Sequence, residues 1–193
     1  MNKKNRSLFD RCFSVSLWIG LVIIAVGYTF FPILGVKYDS LVGKESAREK
    51  LIHEVAAAYA TKAGLDQAPD LVISKDPRAP LAARAILFNG IIAVSPSLLD
   101  PTKYTDDDVR GVVAHEIGHL VRWDSYRVWN QFDADWAREK ELAADTFAAG
   151  ITSCEIMHAL IRNHLDGAMA GYNNPDDPHP HPDARMKAAG TCA

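Results

Sequence analysis

Residues 105–124 read TDDDVRGVVAHEIGHLVRWD. Thr105, followed three positions later by Asp108, has the form of a capping box. The run therefore predicts a helix that opens there and continues through 109–123, with room to reach 130. Inside it stands His115-Glu116-Ile117-Gly118-His119. Two histidines four apart lie on one helix face about one turn apart, so both imidazoles can reach one ion. Glu116 is turned about 100° from His115, close enough to hold a water on that ion without being a ligand. Zinc lowers the pKa of such a water to about 7, and the carboxylate can then take its proton as general base. By itself the pattern is modest, because a helix with two surface histidines reads the same way. The flanks Val112, Val113, Ala114, Ile117, Leu120 and Val121 argue against a surface helix. Two imidazoles and a carboxylate buried among them are costly without a compensating ion.

A catalytic zinc usually takes three protein ligands and keeps a fourth position open. The next helical stretch, REKELAADTFAAG at 138–150, places Glu141 and Asp145 four apart on one face. Leu142, Ala143, Ala144, Phe147 and Ala148 surround them, and the alanines permit close packing against the first helix. Glu141 is the expected third ligand, and Asp145 the acceptor for the N–H of a ligand histidine, fixing its tautomer. Glu139 is the weaker candidate, since it precedes the alanine-lined face.

Outward from this pair, residues 44–64 predict an alanine-rich helix with Leu51, Ile52, Val55 and Tyr59 at helical spacing and Gly64 as its stop. Residues 70–74 and 91–95 are β-branched runs, 83–88 is a weaker one, and Asn89-Gly90 is a hairpin signal. A further helix is expected over 153–170, and 171–182 (GYNNPDDPHPHP) is loop. His53, His158 and His164 have no spacing to the ligands and read as structural. Trp123, Tyr126, Trp129, Phe132 and Trp136 read as packing under a loop, with a substrate or membrane-facing wall as the sharper alternative. The pattern is one α+β domain, mostly helical, with a small β-hairpin or sheet.

The N-terminus differs in kind. Residues 13–34, FSVSLWIGLVIIAVGYTFFPIL, hold 22 positions without a formal charge. As a helix they span roughly 33 Å, enough for a bilayer core of about 30 Å. A secretory signal has a shorter apolar core and a small-x-small cleavage site, which GYTFFPILGVKYDS does not offer. Lys3, Lys4, Arg6 and Arg11 precede the run. Residues 1–12 are therefore expected in the cytoplasm, 13–34 as an uncleaved transmembrane anchor, and 35–193 on the opposite, periplasmic or extracellular side. The chain carries −3 overall, and its basic start leaves the body acidic, which excludes a general attraction to nucleic acid. Three cysteines are too few for a disulfide scaffold. Beyond the anchor, Cys154 and Cys192 form a pairable set in an oxidising compartment, with two free thiols the alternative.

These motifs, in order, resemble the zinc metallopeptidase family of the CAAX prenyl proteases and the HtpX-type membrane proteases. In that family HExxH is followed five residues later by Asp, here Asp124, then by an E-x-x-x-D helix, here Glu141 and Asp145. A His-Pro pair comes last, with Arg six positions after the His, here His179-Pro180 and Arg185. The resemblance covers about 68–187 and implies a zincin-like catalytic domain with one Zn2+ held by His115, His119 and Glu141. It also implies Glu116 as catalytic base. His179 becomes a transition-state hydrogen-bond donor or a gate over the open position, and Arg185 a partner for Asp145 or another carboxylate. The family's Asn-Ala pair before HExxH is replaced by Ala83-Arg84-Ala85, in a strand expected beside the substrate. Polytopic relatives insert spans between HExxH and the third ligand, but the charged segment 120–140 cannot cross a bilayer.

The function expected is therefore a membrane-anchored zinc metalloendopeptidase acting on unfolded or membrane-associated polypeptides, with a role in protein quality control. Its partners are those polypeptides and the lipid bilayer, with no nucleic acid. A zinc aminopeptidase would need a carboxylate placed for a free N-terminus. A catalytically silent binding protein of the same fold would more often have lost one of His115, Glu116, His119 or Glu141.

Overall fold

The structure, a computed structural model, describes residues 38–40, 46–74, 83–86, 90–122, 134–165 and 179–192. The chain divides into Met1–Lys37 and Tyr38–Ala193, and every described residue lies in the second unit. The expected anchor at 13–34 lies outside the described residues, as do Asp124 and the aromatic residues from 123 to 132. Among the described residues no helix is long and apolar enough to cross a membrane.

The fold is mostly helical with one small sheet. Helix α1, Ala47–Lys62, starts at a capping box in which the Glu49 N–H donates to Ser46 Oγ and the Ser46 N–H to Glu49 Oε2. Its buried stripe is Arg48, Ile52, Val55, Ala56, Tyr59 and Ala60, the spacing of a helix with one face on a core. Gly64, at φ +73°, ends this segment in a conformation that favours glycine.

The sheet has four strands in the order β1-β2-β4-β3. They are β1 Tyr38–Ser40, β2 Asp70–Ser74, β3 Ala83–Ile86 and β4 Ile91–Val94. β3 and β4 pair antiparallel, as the Asn89-Gly90 signal anticipates, and Gly90 has φ +61°. β2 runs parallel to β4, and β1 adds antiparallel to β2. This makes β3 one edge of the sheet. Leu71, Ala83, Ile92 and Val94 join Ile52 and Val55 of α1 in the core.

Helix α2, Asp106–Arg122, begins as the capping box requires. The Asp108 N–H donates to Thr105 Oγ1 at 3.1 Å, and the Thr105 N–H to Asp108 Oδ2 at 2.7 Å. His164 Nε2 stands 3.2 Å from the same carboxylate oxygen, its ring stacked on Tyr104. Burial by itself raises the Asp108 carboxyl, but the bonds from Thr105 and the contact with His164 outweigh it and hold the group below its ordinary value. A lowered carboxylate stabilises the fold above its unfolded pKa and loses that contribution as pH falls through the folded value. Asp108→Ala should therefore cost about 1–2 kcal/mol at neutral pH. The difference from the parent should shrink on acidification, which urea denaturation at two pH values will read. An equal cost at both would remove the charge from the argument.

Three more helices complete the body: α3 Ala134–Ile151, α4 Cys154–Leu165 and α5 Pro182–Ala188. Helix α5 is a feature that the sequence reading leaves out. His181 is its N-cap and Pro182 opens it. Pro has no N–H to waste at that position and its fixed φ suits a helix start, so a Pro-rich loop ends directly in a helix. Helix α3 packs closely on α2 at Gly118. A Cβ there would stand 3.2 Å from Ala144 Cα and 3.1 Å from the Phe147 ring. Met157 and Leu160 of α4 close the core from another side. Cys154, the first residue of α4, is disulfide-bonded to Cys192 in the tail after α5.

Candidate metal centre

The close α2–α3 packing sets the geometry of the polar groups between the two helices. His115 is buried on α2, and His119 one turn later is partly so. Their Nε2 atoms are 3.1 Å apart. From α3, Glu141 brings Oε2 to 3.2 Å from His115 Nε2 and Oε1 to 3.4 Å from His119 Nε2. Three donor atoms held by one tetrahedral zinc at about 2.0–2.1 Å stand about 3.3–3.4 Å from one another. The triangle formed by these side chains has nearly that size. Glu139, the weaker candidate, is exposed.

The tautomer of His115 supports the same reading. Its Nδ1 lies 2.9 Å from Asp145 Oδ1. An ionised carboxylate can only accept, so Nδ1 carries the proton and the Nε2 lone pair is left for the triangle. Arg185 holds Asp145 in turn, with Nε on Oδ2 and NH2 on Oδ1, both at 2.7 Å. Arg185 NH2 also comes within 3.4 Å of His115 Nδ1, but the shorter carboxylate contact decides the tautomer. Asp145 is fully buried, and among the described residues its carboxylate is met by His115 and Arg185. Burial raises its carboxyl, yet Arg185 and His115 outweigh burial and lower it. Burial likewise opposes ionisation of Glu141, which His115 and His119 hold well below the usual carboxylate range. Two adjacent imidazole lone pairs facing a carboxylate repel one another unless a proton or a cation lies among them. Zinc fits this donor set.

Glu116 points elsewhere. Its Oε2 accepts the N–H of Ala85, in edge strand β3, at 2.5 Å. No local pattern announces this contact, because a strand register cannot be read from a helix. His179 is half-buried just ahead of α5.

Residues 46–131 match the model of Peptidase family M48. This is the family of the CAAX prenyl protease and HtpX-type zinc metallopeptidases, so the resemblance carried by the sequence holds over the matched segment. The M48 segment includes the capping box, β2 to β4 and the whole HExxH helix. It closes before Glu141, Asp145 and Arg185, whose place beside it rests on geometry, and before His179, which rests on the ordered motifs. The similarity of this segment to M48 points to a zinc-dependent peptidase chemistry, and His115, His119 and Glu141 form a group that could hold such a metal ion. No curated protein matches the chain.

The site also has a definite response to acid. Burial lowers the His115 pKa, but the bonds to Asp145 and Glu141 outweigh burial and raise it above its ordinary value. Protons therefore compete with a metal at higher pH than they would for an isolated imidazole. In the metal-free protein the raised His115 stabilises the fold below its unfolded pKa, and that contribution is lost as pH rises through the folded value. Zinc affinity has the opposite slope. Chelator-competed zinc binding should weaken steadily as pH falls from about 8 to about 5. Affinity independent of pH over that range would show that imidazoles are not the ligands.

Proposed function

We propose that the chain is a membrane-anchored zinc metalloendopeptidase. His115, His119 and Glu141 hold the ion, Glu116 is the general base, and residues 13–34 tether the body to the bilayer. Bound zinc supplies a Lewis acid that acidifies a water molecule and polarises the scissile carbonyl. Glu116 takes the proton of the attacking water and passes it to the departing amine. Asp145, itself held by Arg185, keeps His115 in its ligating tautomer. His179 donates a hydrogen bond to the developing oxyanion or gates the open position.

The observation that carries this reading is the contact between Glu116 and Ala85. It puts the base beside β3, which among the described residues is an edge strand where an extended polypeptide can add as a further strand. Main-chain bonds to an edge strand are indifferent to side-chain identity and need no free terminus. That favours internal cleavage of unfolded chains over removal of terminal residues, and it suits a role in protein quality control. The charged segment 120–140 cannot cross a bilayer, which favours a peptidase body in water.

The test is cleavage of an unfolded, N-acetylated polypeptide by the purified full chain, with zinc content measured alongside. One zinc at this site and internal fragments are expected, with cleavage abolished by a chelator and restored by zinc. Cleavage indifferent to chelation, or a requirement for a free N-terminus, would overturn the proposal.

A further inference from the structure

Away from the metal helices, α4 and the tail after α5 bring together three more metal-ligating side chains. Cys154 and His158 are four apart on α4, so they share a face. Cys192 meets them from the tail, with Sγ 3.5 Å from His158 Nδ1. One ligand atom from each residue lies within 4.8 Å of the other two, and all three residues are partly buried.

The state of His158 is fixed by its other nitrogen. Nε2 lies 2.9 Å from the carbonyl oxygen of Met186, in α5. A carbonyl only accepts, so Nε2 carries the proton and Nδ1 presents a lone pair toward Cys192. A ligating histidine is oriented in this way, its remote N–H donated to a fixed acceptor. His115 stands in the same relation to Asp145. In the disulfide neither sulfur has a proton to offer that lone pair. In the dithiol form the same three groups make two thiolates and one imidazole. Zinc takes that donor set with a fourth position left for water.

We propose that Cys154, His158 and Cys192 form a second zinc site in the dithiol form of the chain. The inference is independent of the peptidase reading, because no residue is shared. Reduction by a phosphine breaks the Sγ–Sγ bond. The phosphine takes oxygen from a water molecule, and two electrons and two protons pass to the sulfurs. Binding of Zn2+ then releases the two thiol protons. The cluster thus has a covalent form for an oxidising compartment and a metal form for a reducing one. Either form ties the segment after α5 to α4. Between them lies α5, which carries Arg185, so the second site steadies the arm that holds Asp145 and through it His115.

Cobalt is the probe, since the HExxH site has only nitrogen and oxygen ligands and cannot give a sulfur-to-cobalt charge-transfer band. The full chain, metal-stripped, is titrated with Co2+ in its disulfide form and again after phosphine reduction. The disulfide form should bind one equivalent without that band. The reduced form should bind two, the second bringing near-ultraviolet charge-transfer absorption. His119→Ala should leave the band intact. His158→Ala should weaken the sulfur-ligated equivalent about 10-fold or more. The comparison of the two wild-type forms needs no substitution, so a variant that fails to fold leaves the test standing. A reduced chain with all three cysteines as free thiols and no sulfur-to-cobalt band overturns the proposal. So does a band of unchanged affinity in folded His158→Ala.

Discussion

Glu116→Gln is expected to reduce peptide hydrolysis by about 100- to 10,000-fold while zinc content stays at the wild-type level. The substitution keeps the size of the side chain and leaves His115, His119 and Glu141 untouched. It removes the only property the mechanism asks of this residue, a carboxylate able to take a proton. The Ala85 N–H can still be accepted by the amide oxygen, so the β3 edge remains in place. Substrate binding should therefore survive, and the loss should fall on kcat with little change in KM. Single-turnover cleavage of an unfolded polypeptide, with zinc measured on the same sample, separates the possibilities. Turnover near the parent rate would remove Glu116 from the role of base. Zinc loss alongside the activity loss would mean that the side chain supports the ligands.

Local order in this chain was readable wherever the signal is local. The capping box at Thr105 and Asp108, the helical spacing of Ile52, Val55 and Tyr59, and the Asn89-Gly90 turn each act within a few residues. The first two are present at their expected places, and β3 and β4, on either side of the third, pair antiparallel. The third helix was expected over 153–170 and is described as Cys154–Leu165; the residues just after it lie outside the described set. Strand β1 went unread because Tyr38-Asp39-Ser40 has neither alternation nor a β-branched run. Its extended form is set by pairing with β2. Helix α5 is hidden by its Pro-rich approach, although Pro182 at a helix start was a usable sign.

Within the site, the spacing of His115 and His119, and of Glu141 and Asp145, is helical and so could be placed on two faces in advance. Which two faces meet was inferred from alanines, and the packing of Gly118 on Ala144 supplies the physical reason. The contacts Ala85–Glu116 and Asp145–Arg185 span 31 and 40 positions, beyond any periodic pattern. The second was suggested only by the ordered family motif. His158, expected to be structural, joins α4 to α5 through the Met186 carbonyl, and its four-residue spacing from Cys154 is the same i, i+4 relation that singles out His115 and His119.

Asp145→Asn is expected to lower zinc affinity about 10- to 100-fold and to destabilise the metal-free fold by about 3–5 kcal/mol. Asp145 accepts from two donors at once, His115 Nδ1 on one oxygen and Arg185 on both. An asparagine has one oxygen, so it must fail one partner. If the amide oxygen faces His115, the NH2 group meets the guanidinium of Arg185 donor against donor, and a buried cation loses its carboxylate. If the amide turns over, its NH2 faces His115 Nδ1 and drives the proton to Nε2. That occupies the lone pair needed by the metal. Arg185→Met makes the complementary case, since it leaves the Asp145 carboxylate buried with His115 beside it and without the guanidinium. It should destabilise to a similar extent, yet keep the His115 tautomer and so more of the zinc affinity. Chelator competition gives the affinities, and urea unfolding of the metal-free proteins gives the stabilities. If Asp145→Asn binds zinc as tightly as the parent while folding normally, Asp145 does not set the tautomer of His115, and the second half of the site's architecture must be assigned again.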